Sequence, residues 1–393
     1  MAKSRLHELT ERGQAVWFDT LSRDLVHSGG LKKMMDEDAV TGVTSNPTIF
    51  QKAIAQSDDY DDQLRALLET TDDPREVFFR LAEDDVRDAC DVLLPVWERT
   101  SGVDGYVSIE VDPWLAYDTE GTFEQAIQLH EAIDRPNLHV KIPATMAGLP
   151  AIEDCIARGK SINITLIFSL DRYRAVAEAY LRGLERLVAG GGDPSKVASV
   201  ASFFVSRVDT EADRRLEELG NTKLQGRLGI ANAKLAYRHF EEAFSGSRWE
   251  FLEGKGASKQ RPLWASTSTK NPAYRDVMYV EELIGPDTVD TMPPETLEAF
   301  ADHGEVRGDT VREGVAEAER LLDELRAAGV DYDDVVDLPL HRVGERQQEI
   351  DVVTAPRGLV QPAEPPRLVL RGPDRRIARP DPLDELAALG GHC

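Results

Sequence analysis

Short runs of β-branched and aliphatic residues alternate with longer amphipathic stretches through most of the chain. Segments such as 75–98, 122–133 and 170–188 repeat their apolar residues with the spacing of an α-helix. The short runs predict strands at 16–19, 40–45, 106–111, 139–143, 162–168, 197–205, 263–267 and 288–292. Strands alternating with helices predict parallel βαβ units, and eight such strands are the number that closes a barrel. The pattern therefore predicts a single α/β domain, a (β/α)8 TIM barrel with extra helices.

The end of the chain has a different composition. Eight of the 21 prolines and eight arginines fall within 338–393, a segment that contains no lysine. Proline removes a backbone donor and fixes a backbone angle, so this segment cannot sustain a helix or a sheet for long. We predict a barrel over 1–337 and a divergent, poorly ordered Pro- and Arg-rich tail over 338–393.

Charge and composition narrow the classes of function. The net charge is -25, which disfavours nucleic acid and anionic membranes as partners, while 41% hydrophobic residues are enough for a sizeable core. No apolar run approaches the roughly 18 residues of a membrane span, and the first residues lack a secretory signal, so we expect a cytoplasmic monomer or homo-oligomer. The three cysteines are far apart and show no metal-ligand spacing, so no metal is expected.

Polar residues at the carboxyl ends of the predicted strands are the candidates for chemistry, because catalytic groups of such barrels project from those ends. An anionic substrate would need a few focused cations there, since the outer surface repels it. The candidates are Asp19, Asn46, Glu110, Lys141, Asn163, Thr165, Ser202, Arg207, Ser266 and Lys270.

Lys141 is the most distinctive candidate. It lies between Val140 and Ile142 in a strand predicted to be buried on both faces. A buried ammonium without compensation is expensive, which favours the neutral, nucleophilic amine. Two other interpretations stay open: the side chain could extend to the barrel mouth, or it could pair with a structural carboxylate.

Glu110 and Asp19 are the candidate acid and base groups. We expect them to enter the cavity of Lys141 from neighbouring strands, where they could deliver and remove the protons that Schiff-base chemistry and carbon–carbon cleavage require. Each could instead form an ion pair with Lys141 or cap a helix.

The remaining candidates are suited to recognition. Asn46, Asn163, Thr165 and Ser202 are short hydrogen-bonding groups that could bind the hydroxyls of a sugar, although each alone is more often a turn residue.

Two candidates on predicted strands six and seven, Arg207 and Ser266, could hold a phosphate, a recurrent feature of late barrel strands. Arg207 could instead pair with Asp209 or Glu211.

Six segments carry a resemblance to a known family. They are TSNPTIF around Asn46, VSIEVDP around Glu110, HVKIPAT around Lys141, INITLIFS around Asn163 and Thr165, GIANAKLAY from Gly229, and RPLWASTSTKNP from Arg261. In these segments and in their order the sequence resembles the transaldolases, over roughly 6–335. The family usually ends in an amphipathic helix near the barrel, whereas this chain changes composition after Val335.

The resemblance implies a reaction of the pentose phosphate pathway without metal or organic cofactor. A Schiff base on Lys141 would transfer dihydroxyacetone from sedoheptulose 7-phosphate to glyceraldehyde 3-phosphate, giving erythrose 4-phosphate and fructose 6-phosphate. Glu110 with Thr165 would hold a catalytic water, and Asp19 would transfer a proton.

The resemblance also implies binding roles. Three residues would bind the dihydroxyacetone hydroxyls: Asn46, Asn163 and Ser202. Three would bind the phosphate: Arg207, Ser266 and, with a less secure motif match, Lys270. Two alternatives remain: an aldolase of the fructose-6-phosphate type that releases free dihydroxyacetone, and a non-catalytic barrel that serves as a scaffold.

Overall fold

A closed barrel of eight parallel strands forms the centre of the computed structural model, which describes residues 4–341. Each strand pairs with the next along the chain, and β1 also pairs with β8, which closes the barrel. The strands are β1 (Gln14–Phe18), β2 (Val40–Thr44), β3 (Val107–Glu110), β4 (Leu138–Pro143), β5 (Ile162–Ile167), β6 (Ser199–Phe204), β7 (Arg261–Ala265) and β8 (Thr288–Met292). All eight predicted strands, and with them the predicted barrel, are confirmed.

Helices surround the barrel and supply its extra elements. They are α1 (Arg5–Glu11), α2 (Arg23–His27), α3 (Gly30–Glu37), α4 (Pro47–Gln56), α5 (Asp61–Leu68), α6 (Pro74–Arg99), α7 (Thr119–Ile133), α8 (Gly148–Ala157), α9 (Leu170–Ala189), α10 (Ser206–Glu218), α11 (Leu228–Ala243), α12 (Gly246–Glu253), α13 (Met278–Glu282), α14 (Pro294–His303), α15 (Val315–Ala327) and α16 (Tyr332–His341). Several helices have a side-chain cap at their N-terminus. At the start of α9, the Ser169 hydroxyl accepts a hydrogen bond from the backbone amide of Arg172.

Strands β4 and β5 are buried along their whole length, including their polar side chains, as expected for a parallel sheet covered on both faces. Outward side chains such as Val140 and Ile164 pack against the helices in the larger core cluster. Inward side chains such as Trp17, Leu263 and Val289 form a second cluster inside the barrel. The same cluster continues through Phe204 and Ala265, at the carboxyl ends of β6 and β7, to residues of α10 and α15.

Trp17 fills much of the barrel interior because β2 leaves room for it. A Cβ atom on Gly42 would lie 2.5 Å from the indole ring, so only glycine fits at this position of β2. The indole nitrogen donates to Asp104 Oδ1 at 2.8 Å. The interior is therefore closed at this level, and a cavity opens nearer the carboxyl ends of the strands.

A β-bulge interrupts β5 where it approaches the open end. The register with β6 shifts between Ile164 and Ile167, and Leu166 has a φ of 62°. An extra residue in one strand breaks the alternation of side chains. As a result both Thr165 and Leu166 face the cavity described below.

Two placements inferred from the sequence are wrong. Arg207 is not on strand six: β6 ends at Phe204, and Arg207 lies in the first turn of α10, because the apolar pattern runs on past the end of the strand. Asp19 and Glu110 do not come from neighbouring strands, since β2 lies between β1 and β3.

Most of the predicted tail lies outside the described residues. Helix α16 includes 338–341, and the rest of the segment 338–393 is not described, so the division at residue 337 and the disorder of the tail stay predictions. Among residues 4–341, no helix is long and apolar enough to span a membrane.

Candidate active site

A polar cavity of about 380 Å³ opens at the carboxyl ends of the strands. Nine of the ten candidates line it, namely Asp19, Asn46, Glu110, Lys141, Thr165, Ser202, Arg207, Ser266 and Lys270. These residues are up to 251 positions apart in the chain, from Asp19 to Lys270. The closed barrel brings them together because its parallel strands all end at one rim.

Lys141 lies in the wall of this cavity and is only 7% exposed. Its Nζ is 3.2 Å from Glu110 Oε2 and donates to the carbonyl oxygen of Ser45 at 3.0 Å. The register of β3 and β4 sets Glu110 beside Lys141, so their side chains meet without a long reach. The pairing with a carboxylate that the sequence left open is present, and it places an acid–base group next to the amine.

Asp19 enters the cavity directly after β1. Its Oδ1 accepts a hydrogen bond of 2.5 Å from Thr44, whose hydroxyl also lies 2.6 Å from that of Thr291. Burial raises the pKa of Asp19, while the nearby Lys141 charge and the Thr44 hydrogen bond oppose the rise. A carboxyl group with a raised pKa exchanges protons more readily near neutral pH.

Asn163 is the one candidate that does not line the cavity. It is fully buried below the cavity surface, where its Nδ2 donates to Ser108 Oγ at 3.1 Å and its Oδ1 accepts from Ser202 Oγ at 2.7 Å. Ser202 does line the cavity and is thereby oriented by Asn163. Direct contact of Asn163 with a ligand stays a prediction.

Asn46 and Thr165 reach the cavity in different ways. Asn46 is the N-cap of α4, and its Oδ1 accepts a hydrogen bond of 3.0 Å from the backbone amide of Ile49. The first turn of α4 therefore lies at the cavity. Its side-chain amide group remains able to donate. Thr165 is buried, and the β5 bulge directs it to the wall beside Leu166.

One side of the cavity carries cations and hydroxyls. Arg207 from α10 lies 4.9 Å from the centre of the Phe204 ring, and Ser266, directly after β7, shares a hydrogen bond of 2.8 Å with Ser206. Lys270 Nζ donates to Ser268 Oγ at 2.5 Å. Cations and hydroxyls on two adjoining elements can hold a phosphate group.

The two acidic residues considered as partners of Arg207 have other contacts. Asp209 accepts from the Gly229 amide and from Tyr279, and Glu211 pairs with Arg214 and Arg215. Arg207 itself lines the cavity.

Several lining residues were not singled out from the sequence. Thr44 and Thr291 surround Asp19, Lys52 on α4 adds a cation, and Glu295 on α14 adds a carboxylate near Asp19. Thr44 and Thr291 end their strands as the predicted candidates do, so strand-end position could have indicated them. Lys52 and Glu295 lie on helices, where the sequence gives no such signal.

Known proteins provide an independent comparison. Residues 16–354 match the family model described as Transaldolase/Fructose-6-phosphate aldolase. The chain belongs to this family. The match includes all ten candidate residues and every strand from β2 onward.

Named relatives cover most of the chain. A protein named Transaldolase from Mycobacterium ulcerans is 52% identical over 336 residues, 84% of this chain and 90% of its own length. One from Acidothermus cellulolyticus is 53% identical over 346 residues, 88% and 93% of the two chains. Transaldolase 2 of Streptomyces avermitilis is 53% identical, over 85% and 90%. These names identify the chain as an enzyme of the transaldolase type and do not favour the two alternatives.

Proposed function

We propose that Lys141 forms the Schiff base through which this enzyme transfers dihydroxyacetone from sedoheptulose 7-phosphate to glyceraldehyde 3-phosphate. The observation that carries the proposal is the contact of the Lys141 amine with Glu110 at 3.2 Å inside a polar cavity. A buried amine beside a carboxylate can lose and regain protons as it attacks a carbonyl carbon.

The first half of the reaction uses both carboxylates. The Lys141 nitrogen bonds to the ketose carbonyl carbon, and the resulting carbinolamine loses its hydroxyl as water with a proton from Glu110. Asp19 then takes the proton of the C4 hydroxyl as the C3–C4 bond breaks. Erythrose 4-phosphate leaves, and the electron pair of the broken bond stays on the enzyme-bound enamine.

The second half reverses these steps on a new aldehyde. The enamine carbon attacks the carbonyl of glyceraldehyde 3-phosphate, and the new hydroxyl recovers its proton from Asp19. A water held by Glu110 and Thr165 then adds to the Schiff base and releases fructose 6-phosphate. Glu110 lies beside the nitrogen, as both the dehydration and the hydrolysis require.

Recognition falls to the rest of the cavity wall. Asn46 and Ser202 would bind the hydroxyls of the three-carbon unit, with Asn163 orienting Ser202. Arg207, Ser266 and Lys270 would bind the phosphate that the sugar substrates share. The cations are focused here although the whole chain carries a charge of -25.

A coupled assay tests this function. Fructose 6-phosphate and erythrose 4-phosphate are supplied, and the glyceraldehyde 3-phosphate formed is followed. In parallel, borohydride reduction with fructose 6-phosphate, followed by peptide mass spectrometry, should place a dihydroxyacetone adduct on Lys141. Turnover that requires erythrose 4-phosphate supports the transferase; free dihydroxyacetone without an acceptor would indicate the aldolase, and absence of both turnover and adduct would indicate the scaffold.

Three further features complete the proposal. We expect full activity in the presence of EDTA, because the proposed steps need no metal or organic cofactor. The cytoplasmic location and the monomeric or homo-oligomeric state expected from the sequence stay predictions.

A further inference from the structure

The proposed phosphate side of the cavity is built from two separate elements. Arg207 belongs to α10, whereas Ser266 and Lys270 belong to the loop 266–277 that joins β7 to α13. The start of this loop is fixed to α10, since the Ser206 amide donates to the carbonyl of Ser266 at 3.1 Å. Twelve residues separate β7 from α13, so the rest of the loop needs its own attachment.

Asp213 on α10 supplies one such attachment. Its Oδ2 accepts a hydrogen bond of 2.5 Å from the hydroxyl of Tyr274, which lies in the loop. Its Oδ1 accepts from the amide of Gly226 at 2.8 Å, in the connection between α10 and α11. One carboxylate therefore joins three segments of the chain.

Asp209, one turn earlier on α10, repeats the arrangement. It accepts from the hydroxyl of Tyr279 at 2.9 Å and from the amide of Gly229 at 2.7 Å. Tyr279 lies in α13, directly beyond the loop. Residues four apart on a helix share a face, so Asp209 and Asp213 hold the C-terminal part of the loop and the start of α13 against α10.

Close packing supports the outer attachment. Gly226 has a φ of +69°, and a Cβ atom there would lie 2.7 Å from the Tyr274 ring. Glycine is suited to this position both because of its left-handed backbone and because the ring lies against it. The Tyr274 hydroxyl thus reaches Asp213 from a ring that is itself held in place.

We propose that Tyr274–Asp213 and Tyr279–Asp209 are positioning pairs, which hold the loop 266–277 against α10 and so fix Ser266 and Lys270 relative to Arg207. This inference rests on the proposed function of these three residues in phosphate binding. A loop held in its binding conformation avoids an ordering cost when the ligand arrives. None of the four residues lines the cavity that contains Lys141.

The position of the pairs decides which kinetic constant they affect. Lys141 and Glu110 lie on β4 and β3, across the barrel from the loop that follows β7. Loss of a pair should weaken phosphate binding in the ground state and the transition state alike. Such a change raises the Michaelis constant and leaves kcat nearly unchanged.

The decisive variant is Tyr274→Phe, which removes one hydroxyl from a side chain that is not fully buried. Tyr180→Phe is the matched control, because the Tyr180 hydroxyl donates to the carbonyl of Ser258, in the segment that precedes β7. We expect Tyr274→Phe to raise the Michaelis constant for fructose 6-phosphate about fivefold or more, with kcat within about twofold of wild type. Tyr180→Phe should leave both constants unchanged.

Calorimetric titration with inorganic phosphate separates this inference from the proposed reaction. Phosphate should bind the wild type and Tyr180→Phe equally and Tyr274→Phe about fivefold more weakly. This result supports the inference even if the enzyme lacks transaldolase turnover, in which case only the proposed reaction fails. Equal phosphate affinity of Tyr274→Phe and wild type, or no phosphate binding by the wild type, overturns the inference.

Gly226→Ala provides a second variant in case Tyr274→Phe is poorly folded. The added methyl group should displace the Tyr274 ring, so the same rise in Michaelis constant and phosphate dissociation constant is expected. Borohydride trapping with dihydroxyacetone, which carries no phosphate, should label Lys141 equally in wild type and both variants. A variant that loses this labelling has a damaged reaction centre, which contradicts a role confined to the phosphate side.

Discussion

Two residues of β4 show that a buried ionisable side chain has different surroundings at the two ends of the barrel. His139 and Lys141 both point into the barrel and are two residues apart, about 7 Å along a strand. Lys141 contacts Glu110 and the Ser45 carbonyl at the edge of the cavity. His139 is fully buried and stacks on the Tyr106 ring, with centroids 4.0 Å apart.

His139 and Lys141 differ in the groups available to compensate a positive charge on the side chain. Neither ring nitrogen of His139 makes a hydrogen bond of good geometry. Burial lowers the pKa of His139 well below its usual value, and the positive charge of Arg261 lowers it further, while the Ala198 carbonyl opposes the shift only weakly. His139 therefore stays neutral as a packing residue. A buried base becomes a reaction centre only where the fold also supplies an acid–base partner and access to substrate.

The largest effect is expected from removing the proposed nucleophile. Lys141→Ala should lower kcat/KM by a factor of about 10⁴ or more, because the variant lacks the amine on which the proposed Schiff base forms. Near-wild-type turnover of this variant would refute the Schiff-base mechanism. His139→Phe is the control at the other end of β4, and it should keep kcat within about twofold.

A smaller loss is expected from the partner of Lys141. Glu110→Gln keeps the shape of the side chain but removes its acid–base function, so kcat should fall by about 10²- to 10³-fold. Stopped-flow measurement should show slower formation of the Schiff base. An unchanged rate of this step would exclude Glu110 from proton transfer to the carbinolamine.

The phosphate side should contribute to binding more than to chemistry. Arg207→Ala should raise the Michaelis constant for fructose 6-phosphate about tenfold and alter kcat much less. Because a cation binding an anion is screened by salt, the wild-type Michaelis constant should rise with ionic strength, and the variant should show a weaker dependence. The same salt dependence in both proteins would remove Arg207 from the phosphate site.

The smallest effect concerns stability in acid. A histidine whose pKa is depressed in the folded protein binds its proton more readily in the unfolded chain. Its contribution to the free energy of unfolding is therefore fully present above the unfolded pKa of about 6.5 and is lost as the pH falls below that value. His130, whose pKa burial lowers to about 4, adds to this loss. Urea unfolding of His139→Phe should differ from wild type by less than about 2 kcal/mol at pH 7.5.

Between pH 6.5 and pH 5, His139→Phe should lose less stability than wild type, because His139 no longer contributes to this loss. Parallel stability curves for the two proteins would show that His139 is not held neutral by the fold.

The sequence was sufficient for the barrel and for most of the cavity. The strands are short runs rich in β-branched and aliphatic residues, and parallel strands place their ends at one rim. Nine of the ten candidates chosen at or shortly after the predicted strand ends therefore line one cavity. The environment of each side chain was harder to predict. Asn163 points inward as expected, but it lies below the cavity surface and forms hydrogen bonds with Ser108 and Ser202.

Contacts between distant helices and loops could not be predicted. Nothing in the local pattern indicates that the Tyr274 hydroxyl donates to Asp213, 61 residues away, because residues of both types also occur on solvent-exposed surfaces. Arg207 was assigned to a strand because the apolar run of β6 continues to Val205. Where a strand ends and a helix begins without a polar break, periodicity cannot locate the boundary.

The bulge at Leu166 has a consequence for any attempt to make this enzyme more heat-tolerant. A leucine with a φ of 62° holds its backbone in a region that disfavours side chains, at a cost of about 1–3 kcal/mol. Glycine at this position would relieve that cost but would also remove an apolar surface beside Thr165. Thermal tolerance and the apolar lining of the cavity therefore oppose each other at a single residue of β5.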